Sequence, residues 1–173
     1  CFNDFLTDAE RHTRKDLLES NPGLIILRAY TKMYAVPGVR FGWCMTADAA
    51  LIEKLYHAGQ PWNVSVIAQA CAAAAANGPD WAIETAKRIA EERKFLSDGL
   101  AACGLTVFPG EANFLLFRSN DTGLHEKLAE HGIMIRNCDN YRGLSAGYYR
   151  VAVKTREASK CLLNAIKLIM ENG

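Results

Sequence analysis

The sequence predicts an α/β protein: a piece of a sheet layer whose strands are buried on both faces, followed by a small α+β unit. Three observations carry this expectation. The run Leu24-Ile25-Ile26-Leu27 is continuously apolar and bounded by turn residues, as a doubly buried strand is. A helical stretch from Asp80 to Cys103 is long enough, about 36 Å at 1.5 Å per residue, to bridge two domains. Beyond it, short strand and helix patterns continue to the end of the chain.

Taken in order, residues 8–20 (DAERHTRKDLLES) are polar and helix-forming with little apolar face, and Asn21-Pro22-Gly23 stops them. A short exposed helix is expected there. Leu24 to Leu27 and Val39 to Met45 are the expected strands of the first layer. Helices are expected from Asp48 to His57 and from Ser65 to Asn77, and Asn77-Gly78-Pro79-Asp80 reads as a stop followed by an N-cap. After the long helix come strands at Leu105–Phe108 and Asn113–Arg118, a helix at Thr122–His131, strands at Ile133–Cys138 and Tyr149–Lys154, and a helix at Glu157–Met170. These make a three- or four-stranded sheet with helices on one face. The division falls in the long helix, giving domains 1–90 and 91–173. Two doubly buried strands cannot satisfy their own edges and the chain opens on Cys1, so further sequence is expected upstream.

Half of the 173 residues are hydrophobic and 23% are charged, enough to bury a core. The net charge of +1, from 20 basic and 19 acidic side chains, sets up no field that would recruit nucleic acid or an anionic membrane. No apolar run approaches the ~20 residues that span a bilayer. A soluble, cytoplasmic protein without nucleic-acid or membrane partners is expected. The six cysteines form no CxxC pair and have no histidine beside them, so reduced thiols and no metal site are expected. His12, His57, His125 and His131 read as surface or capping residues.

The informative segment is Arg28 to Gly42. It sets Lys32 directly after a strand and a hydroxyl residue, Thr31, and then places Arg40 within the run Gly38-Val39-Arg40-Phe41-Gly42. A lysine in a pocket near another cation is held neutral and becomes nucleophilic toward an aldehyde. An arginine between glycines can clamp a phosphate bidentately. A lone lysine in a loop, or a lone Gly-x-Arg-x-Gly, means little; the combination is far more specific.

Thr31, Lys32, Gly38, Arg40 and Gly42 together resemble the active-site lysine signature of the fold-type I pyridoxal-phosphate enzymes, the class I/II aminotransferase family. The resemblance implies the C-terminal portion of the PLP-dependent transferase fold, with residues 1–90 a remnant of the large-domain sheet and residues 91–173 the small C-terminal domain. It implies pyridoxal 5'-phosphate as cofactor, Lys32 as the Schiff-base lysine that shuttles the Cα proton, Arg40 and Thr31 at the cofactor phosphate, and a homodimer in the full-length enzyme. Ala29 stands where the family often carries a second Ser or Thr, so one phosphate contact is expected to be lost or replaced.

Tyr149-Arg150-Val151-Ala152-Val153 resembles the family strand whose arginine grips the substrate α-carboxylate, which implies that role for Arg150. Ile135-Arg136-Asn137-Cys138, with Asn140-Tyr141 and Gly143-Leu144, resembles the histidinol-phosphate aminotransferase and threonine-phosphate decarboxylase branch. There an arginine fourteen residues before the carboxylate arginine contacts the substrate phosphate, and Arg136 holds that place. Arg136 reads equally well as a surface salt-bridge residue. The implied substrate is a small amino acid or amino phosphate; transamination is expected first, and decarboxylation uses the same residues. The cofactor's nitrogen-binding carboxylate and phosphate loop would lie upstream of Cys1-Phe2. A reading of another class is a non-catalytic, aminotransferase-like binding or dimerisation domain of a regulator, which a helix-turn-helix upstream would mark.

Overall fold

Two helix starts are set by the side chains that cap them. Asp48 accepts a hydrogen bond from the Leu51 N–H at 3.1 Å and opens the helix Ala49–Ala58 (α2); Ser65 accepts from the Ala68 N–H at 3.1 Å and opens Val66–Ala76 (α3). The polar stretch before them, Asp8 to Ser20, lacks an apolar stripe to pack. Only Ala9–His12 (α1) and a single 3-10 turn at Lys15–Leu17 form there, where one longer helix was expected. The long helix Pro79–Ala102 (α4) begins one residue before the expected N-cap. Proline suits the first helical position because its fixed φ is already helical, and Asp80 then sits in the first turn against the positive end of the helix. These elements come from a computed structural model that describes residues 1–171, and only the backbone of residues 10, 11 and 79; residues 172 and 173 of the expected small domain lie outside the described residues.

Contacts separate the chain into two units, Cys1–Ala86 and Lys87–Gly173. In the first, strands Ile26–Ala29 (β1) and Gly42–Met45 (β2) form an antiparallel ribbon in the register Ile26↔Met45, Leu27↔Cys44, Arg28↔Trp43 and Ala29↔Gly42. A Cβ at Gly42 would stand 3.1 Å from the Arg28 carbonyl, so the close passage of β2 favours glycine there. Arg28 forms an ion pair with Asp4 and lies over the Trp43 ring at 5.9 Å, tying the 3-10 turn Asn3–Phe5 to the ribbon. The strands were expected to be buried on both faces, yet Leu27 is 71% exposed. The physical reason is plain: each strand of a two-stranded ribbon has one neighbour, and no third strand among the described residues pairs with either. Tyr56, Trp62, Val66 and Ile67 are also exposed.

The second unit has a conventional core. Thr106–Phe108 (β3), Phe114–Arg118 (β4), Arg136–Asn137 (β5) and Tyr148–Ala152 (β6) form an antiparallel sheet in the order β3-β4-β6-β5. Alternation along the strands sends Leu115, Phe117 and Tyr149 to one face. There they pack with Leu96 and Leu100 of α4, Leu124 and Leu128 of Leu124–Glu130 (α5), and Leu162, Leu163 and Ile166 of Arg156–Glu171 (α6). Each such side chain, fully buried, contributes about 1.5–3 kcal/mol. Gly99 lets α4 and α6 approach, since a Cβ there would fall 2.3 Å from Leu163 Cδ1. The buried Tyr149 hydroxyl lies 2.7 Å from the carbonyl of Thr122 and 3.2 Å from that of Asp121, and donates to this pair, which satisfies its only O–H. Arg156 grips Glu92 with two 2.8 Å bonds and lies 4.0 Å over the Phe95 ring, which joins α6 to α4 a second time. The strand expected at Ile133–Cys138 shrinks to two residues.

Gly147 stands just before β6 with φ +89°, and a Cβ there would lie 2.5 Å from the Ser119 carbonyl. Gly104 has φ +76° with open space around it. Gly104→Ala is expected to lose about 1 kcal/mol, from backbone strain alone. Gly147→Ala meets both strain and a clash and loses at least twice as much; equal losses in denaturant unfolding would contradict this. In acid, Glu92 is held below its ordinary pKa by its hydrogen bonds from Arg156, and Asp121 by those from Lys127 and the Gly123 N–H, against the opposing effect of burial. Their folded pKa values lie below the unfolded ones, so the stability they add is fully present above about pH 5 and drains away as pH falls through the lower folded values. Glu92→Gln should therefore flatten the fall of Tm with acid; a parallel fall would count against the assignment.

Candidate functional site

The lysine segment is the loop that joins β1 to β2. Its ends are closed by the Tyr30 N–H, which donates to the Phe41 carbonyl at 3.4 Å, so that Thr31, Lys32 and Arg40 leave the same end of the ribbon. Between them the chain makes a turn, with the Tyr34 N–H on the Tyr30 carbonyl and the Ala35 N–H on the Lys32 carbonyl, both at 3.2 Å. A 3-10 turn, Pro37–Val39, follows. Ala35 and Arg40 take left-handed φ values of 53° and 59°, which side-chain-bearing residues adopt only when their surroundings hold them there. Arg40 hooks back through its guanidinium to the Pro37 carbonyl at 2.8 Å, and its side chain is otherwise open to solvent.

Lys32 is exposed, Thr31 is half-buried, and the next residue along, Met33, is only 2% exposed and anchors the turn. Tyr34 stacks on Trp81 with ring centroids 5.2 Å apart and an interplanar angle of 18°. Burial, together with the neighbouring Tyr30 and Asp4, raises the Tyr34 pKa, so its hydroxyl remains a donor and faces the Ala75 carbonyl at 3.5 Å. The face of the ribbon shared by Ala29 and its partner Gly42 carries no hydroxyl. An amine, a guanidinium and a hydroxyl at one end of a ribbon are a donor set that fits an aldehyde bearing a phosphate.

The second set of residues belongs to the second unit. Arg136 on β5 and Arg150 on β6 are direct cross-strand partners, and Leu116 on β4 stands on the other side of Arg150. All three lie on the face of the sheet opposite the core. The Arg150 guanidinium lies 5.0 Å from the Phe114 ring centroid and that of Arg136 lies 5.8 Å from the Tyr141 centroid. Among the described residues, no carboxylate is within ion-pair distance of either arginine. Like charges directly opposite each other on a sheet repel, and an anion laid across them removes the penalty. Burial holds the pKa of the Cys138 thiol beneath them above the ordinary value, so it stays neutral.

Other expectations are modified. His125 is half-buried, with its ring 5.7 Å from that of Tyr149 and Nδ1 without a partner, where a surface residue was expected. His131 caps the end of α5, and His57 is exposed near Glu53. Asn113 accepts from the Val153 N–H through its backbone carbonyl at 2.8 Å. Among the described residues, no group of three His, Cys, Asp or Glu side chains is placed to hold a metal, and no helix is long and apolar enough to cross a membrane. Sequence reasoning did not find the stack of Tyr34 on Trp81 or the ion pair of Arg28 with Asp4. Neither follows a helical or strand period, and no local signal could have given them.

Known proteins are similar to this chain in sequence and fold. The family model for aminotransferase class I and II matches residues 1–166. A threonine-phosphate decarboxylase of Salmonella typhimurium is 35% identical over 156 residues, covering 88% of this chain and 43% of that protein. A histidinol-phosphate aminotransferase of Nitratidesulfovibrio vulgaris is 30% identical over 175 residues, covering 100% and 46%. The crystal structure of the histidinol-phosphate aminotransferase from Clostridium acetobutylicum superposes with a TM-score of 0.92 at 29% identity, covering all of this chain and 53% of that one. The L-threonine-O-3-phosphate decarboxylase from Porphyromonas gingivalis, at 20% identity and a TM-score of 0.79, shares the fold. The chain thus spans about half the length of the relatives it matches. With the signature lysine, its arginine and the matching fold together, this chain belongs to the aminotransferase class I and II family, whose members depend on pyridoxal phosphate.

Proposed function

We propose that this chain is the C-terminal portion of a pyridoxal-phosphate-dependent aminotransferase acting on a small amino acid or amino phosphate. The observation that carries the reading is the convergence of Thr31, Lys32 and Arg40 at one end of the β1–β2 ribbon, in the order and spacing of the family signature. In this reading Cys1–Ala86 is the remaining part of the large cofactor-binding domain and Lys87 onward is the small domain. The intact protein is a cytoplasmic homodimer.

Bound pyridoxal phosphate supplies an electron-withdrawing ring that stabilises negative charge on the substrate carbon bearing the amine. The rest falls to the protein. Lys32 would hold the cofactor through its aldehyde, and its amine, when free, would take the proton from that carbon. Arg40 and Thr31 would hold the cofactor phosphate, Arg40 through its fork of N–H groups and Thr31 through its hydroxyl. Ala29 offers nothing to that phosphate. Arg150 fixes the substrate carboxylate and Arg136, its cross-strand partner, takes the substrate phosphate. The pair therefore sets the rotation of the substrate and selects which bond to the reacting carbon breaks.

A second reading, threonine-phosphate decarboxylase, is favoured by the Salmonella typhimurium relative and uses the same residues with the substrate rotated to present its carboxylate for cleavage. Product analysis of the full-length protein separates the two. Histidinol phosphate giving a keto product that depends on 2-oxoglutarate supports transamination, and CO2 from L-threonine phosphate supports decarboxylation. For the central assignment, borohydride reduction of the full-length protein with pyridoxal phosphate, followed by peptide mapping, should place the adduct on Lys32; an adduct on another lysine overturns it. Arg136→Gln should raise KM for the phosphorylated substrate by about 10- to 100-fold with little change in kcat, the loss expected for charged hydrogen bonds. At low salt the same substitution should leave Tm equal or slightly higher, because a like-charge pair is relieved. An unchanged KM would remove Arg136 from the site.

A further inference from the structure

We infer that a row of aromatic rings, Trp81, Tyr34, Tyr30 and Phe41, is a positioning device that sets where Lys32 and Arg40 stand relative to one another. The inference rests on the reading of Lys32 as the cofactor-binding lysine. The rings touch in sequence: Trp81 stacks on Tyr34 at 5.2 Å, Tyr34 meets Tyr30 at 4.6 Å with a tilt of 56°, and Tyr30 meets Phe41 at 5.3 Å with a tilt of 46°. Their places in the chain matter. Tyr30 immediately precedes Thr31-Lys32, Tyr34 follows two residues after Lys32, and Phe41 immediately follows Arg40. The row therefore brackets the lysine on both sides and grips the arginine from behind.

Its far end rests on the α3–α4 junction, through Trp81 near the start of α4 and through the Tyr34 hydroxyl against the Ala75 carbonyl near the end of α3. The loop needs such a hold. Lys32 and Arg40 are both exposed, and Ala35 and Arg40 occupy left-handed backbone that an unrestrained loop would leave. A loop free to relax would have to be ordered again each time it engaged a ligand, and that entropy would come out of the affinity. Tilted and offset-stacked rings have favoured geometries, so a row of four resists sliding and keeps the amine and the guanidinium at one spacing. A ligand that bridges them, an aldehyde at one end and a phosphate at the other, requires one spacing. The 3.5 Å approach of the Tyr34 hydroxyl to Ala75 is long, which assigns the holding to the ring rather than to its oxygen.

Trp81 is the place to test this, because it touches neither Lys32 nor Arg40 in the row and is 47% exposed, so its removal empties little core. In the full-length protein, Trp81→Ala, which loses one aromatic pair, should weaken pyridoxal phosphate binding by about tenfold, and Tyr34→Ala, which loses two, by at least as much. They should also move the pH midpoint of the bound cofactor's visible absorbance band, which reports the environment of the Lys32 nitrogen. Trp81→Phe should recover both quantities, and Tyr34→Phe, which keeps the ring and drops the weak hydroxyl contact, should match the parent. Calorimetry of the cofactor-free variants accompanies the titrations. Affinity and pH midpoint within twofold and 0.2 units of the parent in both alanine variants, on the order of measurement error, would overturn the inference. So would a loss of affinity that merely tracks a fall in Tm and is not recovered by Trp81→Phe. Borohydride mapping of the unaltered protein keeps the two claims apart: an adduct away from Lys32 overturns the lysine reading and this inference with it, whereas an adduct on Lys32 with unmoved variants overturns the aromatic row alone.

Discussion

The pairing of Ala29 with Gly42 is the contact on which the candidate site depends. Without a side chain at position 42, β2 can run close under the Arg28 carbonyl, and the two strands then deliver the ends of the loop to one place. Everything the first unit offers chemically follows from that closure. Lys32 and Thr31 emerge from one strand end and Arg40 enters the other, so a short ribbon presents an amine, a hydroxyl and a guanidinium together. Arg28 is occupied with Asp4 and Trp43.

The second unit solves a different problem with a single sheet. One face is given to the core, where Leu115, Phe117 and Tyr149 meet three helices, and the opposite face is left free to carry charge. Arg136 and Arg150 stand side by side on that opposite face. Among the described residues the two arginines lie over rings and not against carboxylates.

The exposed apolar side chains of the first unit fit a chain that spans about half of its relatives. Leu27 on β1 and Val66 at the capped start of α3 are placed on well-formed elements, yet they are 71% and 81% exposed. The local rules of the sequence are obeyed there, while burial is not achieved, because helix caps need only neighbours in sequence and burial needs neighbours in space.

The sequence by itself determined the helix limits at Asp48 and Ser65, the strand alternation of β4 and β6, the amphipathic face of α6 and the lysine signature from Thr31 to Gly42. Caps, periods and motifs of this kind act over a few residues, so the order of residues contains them. The tertiary structure alone decided that Arg136 faces Arg150, that Tyr34 rests on Trp81, that His125 lies against Tyr149, and that the strand expected over Ile133–Cys138 pairs at only two residues. Each of these joins residues remote in the chain, and which partner is reached depends on turn geometry such as the left-handed Gly147 and on the way helices fill the core. A one-residue slip of β5 against β6 would turn Arg136 to the other face; the packing of Ile133 and Ile135 against the core, with Met134 left 91% exposed, opposes it. The residues of the candidate site were thus named from the sequence alone, and their neighbours were not.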